Sequence, residues 1–493
     1  MRVKKVIIVG SGNAALCAGI AALEKGANVT MIEKAEEQQA GGNSRYTAGA
    51  MRFVYNSNED LHPLLANPDD ERIPITEFGT YTAEKFGSDL LHFNDGRALS
   101  LHQKILIEQS YETMLWLSTH NVRFDPIYSR QTFQKDGKYI FWGGLTLEAK
   151  GEGEGLVEAE MEEFLRLGGK IMYATAAESL VTENGQVVGV NCGSINGPMT
   201  LEADAIVLGC GGFEANPDLR KKYLGNNWVK AKVRGTPHNM GRGIEMALEI
   251  GADFNGLEDG CHAVPMDLHM PDYGNLDIPY IERKHYRKIC YFLGIMLNAN
   301  GDRFVDEGIN FRNYTYAQFG RAILQQPGQF AWQIFDSKVD HLLYSEYRFW
   351  DASYEESDTL EDLVSKMDGV DKENTLKTIH AYNEAVNRNV EFDPTVLDGK
   401  GTQGLPLNKT NWANTIDSPP FKAYPVTCGI TFTYGGLKVD EGAAVLNAEG
   451  KRISGLFACG ELVGGVFYNG YPGGSGLTSG AVFGRLAGHS AAN

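Results

Sequence analysis

The sequence lacks any paired-cysteine motif. Its seven cysteines (Cys17, Cys192, Cys210, Cys261, Cys290, Cys428 and Cys459) are scattered, and none forms a C-x-x-C pair. Zinc, c-type haem and iron–sulfur ligation are therefore not expected. An odd, dispersed set suits a reducing compartment. Long apolar runs are missing too: nothing approaches the roughly 18 residues needed to span a bilayer. Met1–Lys5 leads straight into an apolar strand, which leaves no room for a signal peptide. A cytoplasmic location is the expectation. Positive charge is short, with 45 Lys and Arg against 63 Asp and Glu, a formal net charge of −18. Nucleic acid and anionic membrane are thereby disfavoured as partners. An anionic substrate would need a locally positive pocket. No repeat or low-complexity tract is present, and 493 residues exceed a single hydrophobic core, so two or three domains are expected.

Glycine is plentiful, 58 residues, and many fall in tight clusters that suggest backbone–ligand contact. Val6–Val9 reads as a buried parallel strand and runs into Gly10-Ser11-Gly12-Asn13-Ala14-Ala15. A helical pattern through Leu16, Ile20 and Leu23 ends near Gly26, and a second strand, Asn28–Ile32, ends at Glu33. This is a βαβ dinucleotide unit. Gly10 permits the tight turn, Gly12 lets the backbone approach a pyrophosphate, and Ala15 is small enough for close helix–strand packing. The helix N-terminus offers free N–H groups to phosphate. Glu33 can accept hydrogen bonds from ribose hydroxyls, and Lys34 follows it directly. This motif alone does not separate NAD from FAD.

Three further segments point to flavin. Gly41-Gly42-Asn43-Ser44, followed by Thr47-Ala48-Gly49-Ala50, brings small residues and amides toward the ring and pyrophosphate. Ala205–Leu208 is a buried strand that runs on to Gly211-Gly212-Phe213; before it lie a helix at Leu156–Leu167 and strands near Lys170–Ala174 and Val187–Asn191, with Ala176 between them among the expected cofactor contacts. Gly455–Glu461 is a strand ending in Gly460-Glu461, whose carboxylate can reach the ribityl chain. A last helix, about Gly476–Ala487, would point its N-terminus, at Gly476 and Leu477, toward the flavin N1–C2=O region, where the dipole favours the anionic reduced form.

With these segments the chain resembles the flavoprotein family of soluble fumarate reductases, succinate dehydrogenase flavoprotein subunits and 3-ketosteroid dehydrogenases. The likeness also includes Gly294–Asn298 and Gly301–Glu307, and covers nearly the whole length. Within the family, Phe311–Ala317 and Tyr471–Thr478 are most similar to tricarballylate dehydrogenases. The resemblance implies a Rossmann-like α/β FAD-binding domain, split in sequence into residues 1–255 and 425–493, with an α+β capping domain, 256–424, inserted between. Helical stretches are expected at Asp358–Met367 and Lys372–Val386, and Ser418-Pro419-Pro420 leads back. Covalent flavin in this family uses a histidine just after the GGNS-like turn; residues 43–50 contain none, so FAD is expected to be non-covalent.

Hydride transfer to a flavin leaves one proton to be handled and a carboxylate or carbonyl to be polarised. Arg312 matches the fumarate reductase arginine that acts at the substrate carbon. A guanidinium titrates far above neutrality, so Glu307 or another carboxylate is expected to relay the proton. Arg303, in a turn-to-strand pattern, reads as a structural or flavin-domain contact. His262 matches a substrate-carboxylate histidine. His238 precedes a helix and is a candidate to contact substrate or cap that helix, and Arg283–Lys288, including His285 and Arg287, is the densest basic run of the insert. Two departures stand out: Ile430–Tyr434 lacks the family's C-terminal histidine, and Tyr471-Pro472-Gly473-Gly474 replaces the arginine that clamps a second carboxylate. Tyr-Pro-Gly resembles the 3-ketosteroid dehydrogenases, where the tyrosine polarises a carbonyl. The expectation is hydride transfer from a CH–CH bond of a small polycarboxylate to flavin N5, tricarballylate to aconitate in type, with a separate protein or quinone-linked electron acceptor; a 3-ketosteroid dehydrogenase or enone reductase is the rival.

Overall fold

The structure is a computed structural model describing residues 2–273 and 286–493. A nine-stranded sheet forms one layer. Its parallel centre runs Arg452–Ala458, Ala205–Leu208, Lys5–Val9, Asn28–Ile32 and Lys170–Met172. These central strands are apolar because both faces are covered: Val6, Ile8, Val29, Ile206, Val207 and Leu456 are all buried. Thr175–Glu183 and Gln186–Ser194 add an antiparallel hairpin at one edge, longer than the Val187–Asn191 strand expected. The strand Arg452–Ala458 enters beside Ala205–Leu208, so sequence from the far end completes the sheet begun at Lys5.

Helix Asn13–Glu24 covers this sheet and is crossed by helix Ser475–Ala492. The latter is longer than Gly476–Ala487 because its glycines are contact points rather than breaks. A Cβ on Gly484 would fall 2.4 Å from the Ala14 carbonyl oxygen, and one on Gly488 2.1 Å from that of Ala18. Only hydrogen at those positions lets the two backbones meet.

A second, six-stranded sheet is built on the long strand Phe421–Thr433. It pairs with Lys232–Val233, Cys261–Asp267, Ala331–Phe335 and Glu355–Ser357, and Ile295–Leu297 extends the sheet beyond Ala331–Phe335. Helix Arg312–Leu324 lies on it so closely that a Cβ on Gly320 would meet the Ala263 carbonyl carbon at 2.5 Å. That contact aims the first turns of the helix at His262. Helices Leu360–Lys366 and Lys372–Ala385 close a further apolar cluster around Trp332, Tyr382 and Ile379. Among the described residues no helix is long and apolar enough to cross a membrane.

Candidate active site

A deep cavity begins where strand Lys5–Val9 gives way to helix Asn13–Glu24. Gly10 has φ of 100°, and a Cβ there would lie 2.7 Å from the Gly209 carbonyl oxygen. The loop is braced by side chains. Ser11 Oγ donates to Glu33 Oε2 at 2.6 Å and accepts from Gly41 N at 3.0 Å. Asn13 N donates to Ser44 Oγ at 3.1 Å. Glu33 also accepts from Ala35 N at 2.8 Å, while burial pushes its carboxyl up against these bonds. Gly10, Gly12, Asn13, Ala14, Glu33 and Lys34 line the cavity, as do Gly42, Asn43 and Ser44. Farther along its wall are Ala176, Gly211, Gly460, Glu461, Gly476 and Leu477.

Four expected cofactor contacts are corrected. Ala15, Gly41, Gly49 and Gly212 do not line the cavity. Ala15 packs on Gly209, where a Cβ would come within 3.0 Å of its own. Gly41 supplies an N–H and a left-handed turn with φ of 109°. Gly49 touches the Glu152 backbone, and Gly212 yields space to the Glu461 carboxylate. All four shape the cradle from behind it.

Glu461 is held by Thr433, from N at 2.6 Å and Oγ1 at 2.9 Å. Beside it Glu214, unnoticed in the sequence, accepts from Asn43 Nδ2 at 2.6 Å and Asn239 Nδ2 at 2.5 Å. Burial raises both carboxyls, and Glu461 raises Glu214 further.

Beyond Asn43 the same cavity reaches the second sheet. His262 is buried there, stacked on Phe432 with ring centroids 5.2 Å apart and met edge-on by Tyr316 and Tyr471, each at 5.0 Å. Neither imidazole nitrogen has a hydrogen-bond partner among the described residues. Burial, reinforced by the Arg234 charge, holds its pKa well below the ordinary value, so the ring is neutral. Tyr316 and Tyr471 share a hydroxyl hydrogen bond of 2.6 Å. Burial and then Tyr316 push the Tyr471 phenol up, which keeps it a donor. The Tyr471 loop is fixed by Arg52, fully buried, whose Nε donates to Gly473 O and Nη1 to Gly143 O, each at 2.7 Å.

Arg312 opens its helix and lines the cavity. Its Nε donates to the Tyr344 hydroxyl and its Nη2 to the Arg130 carbonyl oxygen, each at 2.8 Å, with Trp142 5.4 Å from the guanidinium carbon. Burial opposes the charge, but the Tyr344 phenol and its neighbours more than offset this, leaving the pKa above the ordinary arginine value. Arg130 pairs with Glu148, and burial with the nearby Arg287 lowers it to about 10. Arg287 pairs with Glu346 at 2.6 Å. Of the basic run, Arg283, Lys284 and His285 lie outside the described residues.

Glu307 is the main correction. It does not line the cavity; it is fully buried, accepts from Met296 N at 2.8 Å and is paired with Arg303. An i,i+4 relation to Arg303 and a bond to the neighbouring strand make it a structural acid, and the relay to Arg312 has no geometric basis. His238 lines the dinucleotide end, 3.1 Å from Gln39 Oε1. The helix after it starts at Gly241 with no side-chain cap, so His238 does not cap it. Sequence reasoning missed Arg52, Arg130, Arg234, Glu214 and Tyr316. Only Tyr316 carried a usable signal, standing four residues after Arg312 on one helical face.

A parallel sheet that cradles a dinucleotide and opens into a second chamber walled by arginine, histidine and tyrosine defines a two-part flavin-dependent oxidoreductase. The chain belongs to the family described as FAD binding domain, which matches residues 5–477. It is 29% identical to the probable fumarate reductase Ifc3 of Shewanella frigidimarina over 497 residues, spanning 99% of this chain and 74% of that protein. Against the open conformation of a flavocytochrome c3 fumarate reductase the TM-score is 0.72 with 26% identity, covering all of this chain and 78% of that one. The 3-oxosteroid 1-dehydrogenase of Mycobacterium tuberculosis is 25% identical over 83% of this chain and 74% of its own length. The protein is an FAD-dependent oxidoreductase.

Proposed function

We propose that the enzyme acts on a CH–CH bond, or the corresponding C=C bond, of a small polycarboxylate, tricarballylate to aconitate in type. The observation that carries this reading is Arg312: a buried guanidinium on the cavity wall whose hydrogen-bond partners among the described residues, Tyr344 and the Arg130 carbonyl, are both neutral. A buried charge left without a counterion is costly, and a bound carboxylate offsets that cost. Arg130 and Arg287 stand on the same wall, whereas the carboxylates lining the cavity among the described residues are Glu33 and Glu461, already committed to Ser11, Ala35 and Thr433.

Residues 1–255 and 425–493 form the FAD-binding part and 256–424 the cap. The cradle fits FAD: Gly10 and Gly12 would leave space for its pyrophosphate, Glu33 would accept from its ribose hydroxyls, and the start of helix Ser475–Ala492 would lie toward its ring. FAD, when bound, supplies the two-electron hydride chemistry. The chain's own residues do the rest. Tyr471 donates its hydroxyl to a substrate oxygen, with Tyr316 behind it. Neutral His262 offers an N–H to a carboxylate. Arg312 holds the carboxylate at the reacting carbon and handles the proton there. Electrons pass to a separate partner.

A second reading, favoured by the Tyr316–Tyr471 hydroxyl pair, is polarisation of a ketone oxygen as in a 3-ketosteroid dehydrogenase. Anaerobic titration of the yellow protein with tricarballylate, succinate and a 3-ketosteroid separates the two. Bleaching by tricarballylate is the expected result; bleaching by the steroid alone overturns the polycarboxylate reading. Protein that takes up no FAD overturns both.

A further inference from the structure

We infer that Arg52 is a positioning residue: it closes a ring of hydrogen bonds behind the cavity wall, and that ring holds Tyr471 in place relative to Arg312. This rests on the roles given to those two residues above, whichever substrate they serve.

Arg52 follows the short strand Ala50–Met51 and is fully buried, behind the wall rather than on it. It grips the last loop at two points. Its backbone N–H donates to the Gly474 carbonyl at 3.1 Å, and its Nε to that of Gly473 at 2.7 Å. Gly473 stands two residues past Tyr471, and Gly474 directly precedes the helix Ser475–Ala492. The ring then runs toward Arg312. Gly473 N donates at 2.9 Å to the carbonyl of Asn313, the residue after Arg312. Asn313 Nδ2 donates to the Gly143 carbonyl at 3.1 Å, and Arg52 Nη1 returns to that same oxygen at 2.7 Å. A Cβ on Gly143 would fall 2.5 Å from Asn313 Nδ2, so glycine is what lets the ring close.

Arginine suits this corner. Two carbonyls from separate segments need two N–H groups at a fixed angle, and the planar guanidinium supplies them. Lysine would keep the charge without the fork. The cation is stabilised on the faces of two rings. Its central carbon lies 4.7 Å from the centre of the Tyr81 ring and 5.7 Å from that of Tyr314. Both tyrosine hydroxyls donate to Asp89 Oδ2, at 2.6 and 2.8 Å, and Lys85 Nζ meets Asp89 Oδ1 at 2.8 Å. Arg312 has ties of its own, to the Tyr344 hydroxyl and the Arg130 carbonyl. Losing the fork of Arg52 therefore displaces Tyr471 rather than Arg312. A donor misplaced by about 1 Å can cost about 10²-fold in rate.

The test is a double-mutant cycle on the FAD-loaded enzyme, read by the rate of flavin bleaching in anaerobic stopped flow. The substrate is whichever of tricarballylate and the 3-ketosteroid bleaches the unmutated enzyme. Bleaching by the steroid alone overturns the polycarboxylate reading and leaves the cycle intact. Arg52→Lys should slow bleaching about 10- to 100-fold, with flavin content unchanged. In the Tyr471→Phe background the same change should slow it by less than about threefold, because the hydroxyl it would misplace is already gone. Melting temperature supplies the structural readout, and the drop caused by Arg52→Lys should be the same in both backgrounds. Tyr314→Phe keeps its ring beside the guanidinium but removes the hydroxyl bonds to Asp89 and the Gly143 carbonyl. It should slow bleaching about 3- to 10-fold, again only where Tyr471 is intact, and it carries the test if Arg52→Lys does not fold. An equal fold loss in both backgrounds, or no loss in the folded variant, overturns the role of Arg52. If Tyr471→Phe alone bleaches at the wild-type rate, the role given to Tyr471 has failed and that of Arg52 falls with it.

Discussion

The side-chain amide of Asn13 donates to the Leu477 carbonyl oxygen at 2.9 Å, a bond across 464 positions of sequence. It joins the first helix of the nucleotide cradle to the first turn of the last helix, and Asn13 itself is 2% exposed. Both helix starts line the cavity, so the bond fixes the pyrophosphate end relative to the ring end. Replacing Asn13 by Ala removes the donor of this bond, while the Leu477 carbonyl stays within its helix. We expect a loss of about 0.5–1.5 kcal/mol in stability, with faster FAD release, read by thermal melting and by the rise in free-flavin fluorescence.

Arg312→Ala should leave FAD bound and lower kcat by about 10²- to 10⁴-fold, the usual span for a positioned proton-transfer group. Arg312→Lys should not restore the rate, since the bonds to Tyr344 and the Arg130 carbonyl use two separate nitrogens of one fork. Steady-state rates with a dye acceptor decide it; near wild-type turnover in the alanine variant assigns the proton to another group.

Tyr471→Phe keeps the ring contacts with His262, Phe432 and Phe467 but removes the hydroxyl. A donor that acts on developing negative charge is worth about 10²- to 10³-fold in kcat, so a drop of that order with little change in melting temperature is expected. Tyr316→Phe should cost less, because Tyr316 acts through Tyr471.

His262 carries a pH signature. Its folded pKa lies well below the unfolded value of about 6.5, mainly through burial and then the Arg234 charge. Folding thus favours the neutral ring. Its stabilising effect is complete above the unfolded pKa and declines as pH falls below it, because the unfolded chain takes up a proton that the folded one refuses. His102, His238 and His489 are shifted the same way and add to the trend. Relative to His262→Gln, the native protein should therefore lose up to about 1.4 kcal/mol per pH unit more below pH 6.5; parallel melting curves from pH 7.5 to 5 would contradict this.

Glu307→Gln should affect folding rather than chemistry. It leaves buried Arg303 with a neutral partner in place of its carboxylate. Removing one member of a buried pair costs about 3–5 kcal/mol. Chemical denaturation should report that loss, while kcat per bound flavin in the folded fraction stays near that of the native enzyme.

The dinucleotide unit was legible almost residue by residue. Strand Asn28–Ile32 falls where apolar spacing placed it, and Gly10, Gly12, Asn13 and Glu33 all reach the cavity. Such motifs are local: turn, helix start and acid follow one another along the chain, and their chemistry is written in their order. Glu307 was misread for the same reason. Five residues from Arg312 looked like a relay, but the chain folds so that Glu307 faces Arg303 and the strand Ile295–Leu297. Proximity in sequence says nothing about direction once a turn intervenes.

By itself the sequence determined the cofactor and the parallel sheet that holds it, because glycine spacing, a terminal carboxylate and buried strands are consequences of backbone geometry. Only the tertiary structure decided the substrate side. Arg130, Arg234, His262, Arg312 and Tyr471 come from five separate segments, and nothing in the order of those segments records that they share one wall. Their meeting is set by how the long strand Phe421–Thr433 pairs, how closely Gly320 lets its helix approach, and where Arg52 holds the last loop. Each is a packing relation between distant surfaces, and so is absent from any local pattern.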